Sequence, residues 1–255
     1  MSRGQLPTML QHEVLVDVVF ELRFAAQQGF SDLVPGGARG LFGPVRSIEK
    51  TPVADIPHQM REIDPNLQYQ PTMRMVWDDV VLLIGDRGIG IGFGSKYPGW
   101  SVFKSRIDTL LNWISDAAEL ASMVQKVHRY AFKYVDFIPE KYSEGIENPY
   151  RVSVAVGGES MDKNSLKIQI EKKEEFGTVL FDFSHPVQAQ IENKPIQIGT
   201  LVSIDAVRFF HAGIGWDEFR EDFSRYSDLI HQKNKEYFFN TLSDAVLERL
   251  EPKYE

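Results

Sequence analysis

The sequence predicts an α+β fold of two related halves, each an antiparallel sheet with helices packed on one side. Three observations predict it. Apolar and polar residues alternate over 13–24, apolar residues recur at three- and four-residue steps over 103–121, and a Gly-Trp junction ahead of a helix occurs twice, at Gly99-Trp100 and Gly215-Trp216. The halves are expected to span 1–145 and 146–255, a division that 255 residues can supply with two adequate cores.

The first strand is the clearest. Val14, Val16, Val18, Phe20, Leu22 and Phe24 occupy the even positions, while Glu13, Asp17, Glu21 and Arg23 stand among the odd ones, so one face is expected to be buried. From Ser31 to Pro65 glycine and proline are frequent, beginning with "PGGARGLFGP", and this stretch is expected to be loop with at most short helical turns. Leu67, Tyr69, Met73, Met75 and Trp77 then share a face, and Asp78-Asp79 supplies turn chemistry before Val80–Ile84, which predicts a hairpin. Neighbouring strand residues point to opposite faces, so this pair of carboxylates reads as a turn and not as a metal or acid–base pair.

The stretch "DRGIGIGFGSKYPGW" resembles a phosphate-binding loop without meeting its requirements. A dinucleotide fingerprint needs a third glycine three residues beyond the second, where Phe93 or Ser95 stands, and a Walker loop needs Lys before Ser/Thr, where Ser95-Lys96 reverses the order. Ile89, Ile91 and Phe93 instead alternate with glycines, which predicts a strand with one bare side that another backbone, a helix or a ligand approaches closely. Gly90 and Gly92 are therefore candidate binding positions, set against close packing.

After "YPGW", Phe103, Ile107, Leu110, Leu111, Ile114, Ala117, Ala118 and Ala121 define one helix with Ser101 as its expected N-cap. Val127–Ile138 is strand-like, and Pro139 with "EKYSEGIENP" marks the expected boundary between halves. Strands are expected at Arg151–Val156, Leu166–Glu171, Thr178–Phe183 and Ile198–Phe210, with "EKKEEFG" as a solvated hairpin tip. Two helices follow, from Asp217 to about Gln232 and from Lys235 to Leu250. "GWSVFKSRIDTLL" and "GWDEFREDFSRYSDLI" share Gly-Trp, two residues, Phe and a base, and both follow strands, which suggests ancient duplication.

Composition limits the chemistry. Apolar residues make up 43% and charged residues 25%, as in soluble globular proteins, and a net charge of −8 disfavours a broad nucleic-acid surface. The absence of cysteine removes disulfides, thiolate metal sites and a cysteine nucleophile, and fits a reducing cytoplasm. The N-terminus lacks a basic start followed by an apolar block, and no segment has the roughly 20 apolar residues of a spanning helix, so a soluble cytoplasmic protein is expected. The histidines at 12, 58, 128, 185, 211 and 231 form no i, i+4 pair, and no cofactor or metal is implied. His128, Arg129 and Tyr130 enter a strand as candidates for recognition, beside a partly buried structural role. His231 is placed in the last turn of a helix, where the dipole favours a cation. No nucleophile elbow is present. The best nuclease-like fragment is Asp162 with Glu171 and Lys173, the last two on one side of an extended chain, where a carboxylate and a lysine around magnesium would belong.

Taken together, "HEVLVDVVFELRF", "YPGWSVFKSRIDTLL", "HRYAFKYVDFI" and the C-terminal "WDEFREDFSRYSDLIHQKNKEYFFNTLSD" resemble a sporadically distributed bacterial family of uncharacterised proteins. Tyr97, Pro98 and Trp100 match its Tyr-Pro-x-Trp, and Arg129-Tyr130 its Arg-Tyr; Ala131-Phe132 departs from its usual Ile-Asn. The resemblance implies a mobile, defence-associated setting, antiviral defence included, and carries over no catalytic residues. The leading expectation is a noncatalytic binding or assembly protein, a subunit of a bacterial defence or toxin-control system with a protein partner or self-association. The alternatives are a metal-dependent hydrolase or nuclease at Asp162, Glu171 and Lys173, and a small-molecule sensor using the glycine-bare strand.

Overall fold

The computed structural model describes residues 5–94, 97–161, 165–191 and 195–254. In chain order the elements are β1 (Met9–Leu10), β2 (Leu15–Ala26), α1 (Phe30–Ala38), β3 (Ser47–Lys50), α2 (His58–Ile63), β4 (Pro71–Val76), β5 (Val81–Gly85) and β6 (Gly88–Gly92). Then come α3 (Trp100–Asp116), α4 (Ala118–Met123), β7 (Val124–Pro139), β8 (Ala155–Val156), β9 (Glu159–Ser160), β10 (Leu166–Glu174), β11 (Gly177–Ala189), β12 (Gln197–Ile214), α5 (Trp216–Thr241), α6 (Asp244–Arg249) and β13 (Pro252–Lys253). The fold is α+β. Its main sheet has nine strands in the order β10-β11-β12-β7-β2-β6-β5-β4-β3, and β10–β11, β2–β6, β6–β5, β5–β4 and β4–β3 pair antiparallel.

Strand order repeats a pattern. The run β4-β5-β6 ends on β6 beside β2, the long strand that precedes it in the chain; the run β10-β11-β12 ends on β12 beside β7, which likewise precedes it. Each run is followed by a helix that starts at the Trp of Gly-Trp, and in both junctions the amide four residues after the glycine donates to the glycine carbonyl, Phe103 to Gly99 and Phe219 to Gly215, each at 3.0 Å.

Two compact units interleave along the chain. The first comprises Met1–Val16, Lys133–Ala206 and Asp228–Glu255, and the second Asp17–Phe132 and Val207–Ser227, so position 145 lies inside the first. In the second unit Phe20, Leu22 and Phe24 of β2, Ile91 of β6 and Phe103, Ile107, Leu110 and Ile114 of α3 are all fully buried. The alternation of β2 and the stripe of α3 thus meet in one core, as their periods require. In the first unit Phe176, Val179 and Phe183 of the β10–β11 hairpin, Phe137 and Ile138 of β7, and Ile230, Leu242 and Val246 form another. β1 pairs with β13 and ties the two ends of the described chain together.

Several local expectations give way to tertiary packing. The Gly/Pro-rich stretch contains α1, β3 and α2, because Phe30, Val34 and Ala38 fall on one stripe and are fully buried despite Pro35 inside the helix. Gly37 is required there, since a Cβ would stand 2.9 Å from the Trp113 ring. Ser101 is not the cap of α3: Gly99 is, at φ +92°, without a side-chain hydrogen bond. The helix stops at Asp116 and α4 restarts at Ala118, a break that nothing in the alanine-rich sequence explains. Of Arg151–Val156 only Ala155–Val156 is strand, because the Arg151 amide donates to Thr241 O at the end of α5 instead of joining a ladder. The two expected C-terminal helices are one to Thr241, followed by α6 capped by Ser243. Buried Ser227 and Asn234 complete a continuous stripe with Phe219, Phe223, Ile230 and Phe238, so the polar members conceal the continuity.

Candidate functional site

The glycine stretch is β6, a pleated strand with every residue buried. Gly90 pairs with Glu21 on one side and Leu83 on the other, and Gly92 with Val19 and Val81. A Cβ on Gly90 would stand 2.7 Å from Phe20 O, closer than side chains tolerate, whereas one on Gly92 would meet Val18 O at an ordinary 3.4 Å. Gly90 serves close strand approach. The turn before it is also built: Asp86 accepts from Arg61 Nε and Ser31 Oγ, both at 2.9 Å.

Ile89 and Ile91 face α3, so Gly90 and its partner Glu21 share the opposite face of the sheet. On that face Glu21 Oε2 accepts from Arg23 Nε at 2.9 Å and from Arg129 Nη2 at 2.7 Å. The Arg23 guanidinium lies over the Tyr69 ring at 4.8 Å and that of Arg129 over Phe209 at 5.6 Å. All of these residues belong to the second unit. Phe209 is 45% exposed, which leaves a large aromatic surface beside a cation. The structure thus brings Arg129 and Gly90 together around Glu21.

Tyr130 goes to the other face. It is fully buried against Phe20, Phe219 and Phe223, and its hydroxyl donates to Asp222 Oδ1 at 3.0 Å. Burial, followed by the Asp222 carboxylate, pushes the Tyr130 phenol well above the usual tyrosine range, so it remains a donor. Asp222 also accepts from Arg208 Nε at 2.6 and 2.8 Å and from Nη2 at 2.5 Å, and the Arg208 guanidinium lies over the Tyr226 ring at 4.0 Å. With these donors on its two oxygens, Asp222 is committed to holding the start of α5 against β7 and β12. His128 also faces away from Arg129, with Gly213 of β12 so close that a Cβ there would be 3.1 Å from the imidazole. His128, Arg129 and Tyr130 therefore do not form one site.

Glu171 and Lys173 lie on β10, an edge strand, and pair with each other at 2.7 Å; Lys173 also donates to Thr178 Oγ1 at 3.1 Å. Asp162 lies outside the described residues, as does Ser95-Lys96. Among the described residues no cluster of three or more His, Asp or Glu is arranged to hold a metal ion, and no helix is long and apolar enough to cross a membrane. His231 is not in a last turn: α5 continues for ten residues beyond it to Thr241. Burial pushes its imidazole down to about 4, with the Lys235 charge adding to the effect, and Nδ1 lies 3.0 Å from Tyr134 OH. It is a part-buried histidine whose surroundings favour the neutral imidazole.

Glu21, Arg23, Tyr69 and Phe209 escape a sequence reading because the polar face of β2 looks like ordinary solvent exposure. The available signal is opposite charge at alternate positions, Glu21 and Arg23, which places both on one face of a strand. No protein-family model and no curated protein matches this chain.

Proposed function

We propose that this chain is a noncatalytic binding or assembly protein that presents the Glu21–Arg129–Phe209 face of its second unit to a protein partner, as a subunit of a bacterial defence or toxin-control system. The observation that carries the reading is Arg129, held by Glu21 on one side and stacked on exposed Phe209 on the other. Arginine and aromatic anchors dominate protein interfaces because they cover large apolar area while retaining directed donors. A half-buried, pre-paired guanidinium also loses little side-chain freedom on docking. The defence setting rests on the family resemblance alone.

Co-purification from the native host with tagged wild type, Phe209→Ala and Arg129→Ala tests this reading. The expected result is loss of the same specific partner in both variants, each of which retains a cooperative thermal transition. Retention of that partner by both would refute it. Incubation with nucleic acids or nucleotides and magnesium or manganese tests the hydrolase reading, whose signature is activity abolished by Glu171→Ala.

We further propose that the two halves are related by duplication. The matching strand orders around β2 and β7, and the matching Gly-Trp junctions, support this.

A further inference from the structure

A separate group of side chains lies wholly in the first unit. Pro139 ends β7, and the chain then makes tight turns, Ser143 N donating to Glu140 O at 2.8 Å and Ile146 N to Ser143 O at 3.1 Å, with Gly145 at φ +73°. Arg249 Nη1 fixes this segment by donating to Glu144 O at 2.8 Å. Between the segment and the β10–β11 hairpin is a cleft of about 230 Å³, whose lining includes Glu140, Glu144, Glu147, Tyr150, Phe183 and His185. Pockets for drug-sized ligands run to about 300–1,000 Å³, so this one suits a smaller molecule.

Its chemistry is one-sided. Tyr150 packs edge-on against Phe183, with centroids 5.3 Å apart at 70°, and tilts against His185 at 5.7 Å. His185 Nδ1 is 2.7 Å from Thr200 Oγ1, and burial holds the imidazole below its ordinary range against the opposing pull of Glu140, so it adds no positive charge at pH 7. The Tyr150 hydroxyl is buried and lies against the hydroxyls of Thr200 and Ser143, yet makes no hydrogen bond of good geometry with either. Of the nearby cations, Lys141 lies over the Tyr142 ring at 4.7 Å and Arg151 pairs with Asp244 at 2.8 Å, while Arg249 is held at the rim on the Glu144 carbonyl. Three carboxylates, the partly exposed Tyr150 ring and an imidazole without positive charge are the groups that receive an organic cation, through charge and through the negative face of the ring.

We propose that this cleft binds a small organic cation, with an alkylammonium or guanidinium group seated against Tyr150, which Phe183 backs from the core, and countered by Glu140, Glu144 and Glu147. The site is independent of the partner face in the second unit. Either proposal can fail without the other.

Calorimetric titration of the full chain with agmatine, which carries both head groups, tests it, with butylamine and methylguanidine to separate them and butyrate as the anionic control. Saturable binding of agmatine, weakened about tenfold or more in the triple variant Glu140→Gln, Glu144→Gln, Glu147→Gln, is expected. These substitutions alter the acid rim and leave Tyr150 and its packing on Phe183 intact, and a matching thermal transition establishes that the variant folds. Binding of butylamine or of methylguanidine assigns the head group. Absence of saturable binding by all three cations up to about 10 mM, equal affinity in the triple variant, or equal binding of butyrate would each overturn the proposal.

Discussion

Replacing Asp136 with Asn should stabilise this protein at neutral pH and remove part of its pH dependence. Asp136 lies on β7 and is 5% exposed. Burial, with the Glu13 carboxylate adding to it, pushes its acid up to about 8 from the 3.8 of an unhindered aspartate. Glu13 is itself raised by burial. Between about pH 4 and pH 8 the folded chain keeps a proton that the unfolded chain has released. The contribution of this group to stability therefore falls as pH rises through that window, at about 1.4 kcal/mol per pH unit, and levels off above it. At pH 7 the accumulated cost is about 4 kcal/mol. Asparagine never has to be neutralised, but it buries an amide whose two donors the site did not evolve to pair, at about 1–2 kcal/mol. The net expectation is a gain of about 2–3 kcal/mol at pH 7 and about 3–4 kcal/mol at pH 8, shrinking to zero or below near pH 4.5. Urea denaturation of both proteins at pH 4.5, 6, 7 and 8 measures this, with the variant-minus-wild-type difference cancelling the other titrating groups. A difference that stays constant across these pH values, or an Asn variant less stable than wild type at pH 8, would refute the reasoning.

Three other outcomes follow from the same structure. His231, held down at about 4, titrates with the opposite sign: its contribution is present above the ordinary histidine range and is lost as pH falls from 6.5 through 4, so His231→Gln should flatten the acid limb by up to about 3 kcal/mol in the same denaturation series. Asp222→Ala should cost about 3–5 kcal/mol and lower the midpoint of thermal unfolding, because it removes the carboxylate that accepts from both the Arg208 guanidinium and the Tyr130 hydroxyl, whereas Tyr130→Phe should cost only about 1 kcal/mol. Gly90→Ala should destabilise by about 1–3 kcal/mol while Gly92→Ala stays within about 1 kcal/mol, measured as paired unfolding curves, since only the former drives a Cβ into Phe20 O. Equal effects at the two glycines would mean that backbone entropy, and not close approach, governs that strand.

Periodicity alone determined the elements that bury a simple face: β2, the β4–β5 hairpin, β6, α3 and most of α5 follow from steps of two or of three and four, because a side chain's direction depends only on its own backbone. The same alternation assigned the glycines of β6 to a strand, and the spacing of the histidines pointed away from a local metal pair. What sequence could not decide is everything that depends on residues far apart. Arg129 meets Glu21 across 108 positions because β7 and β2 are neighbours in the sheet, and no local pattern encodes that adjacency. Tyr130 and Arg208 converge on Asp222 for the same reason. Tertiary burial also overruled propensity where they conflicted, turning "FSDLVPGGA" into a helix on the strength of Phe30, Val34 and Ala38, and carrying α5 straight through Lys233-Asn234. Burial and strand adjacency are properties of the folded chain as a whole, and so the three-dimensional structure alone made Asp136 an acid that holds its proton, His231 a base that does not take one, and Glu140, Tyr150 and His185 parts of one cleft.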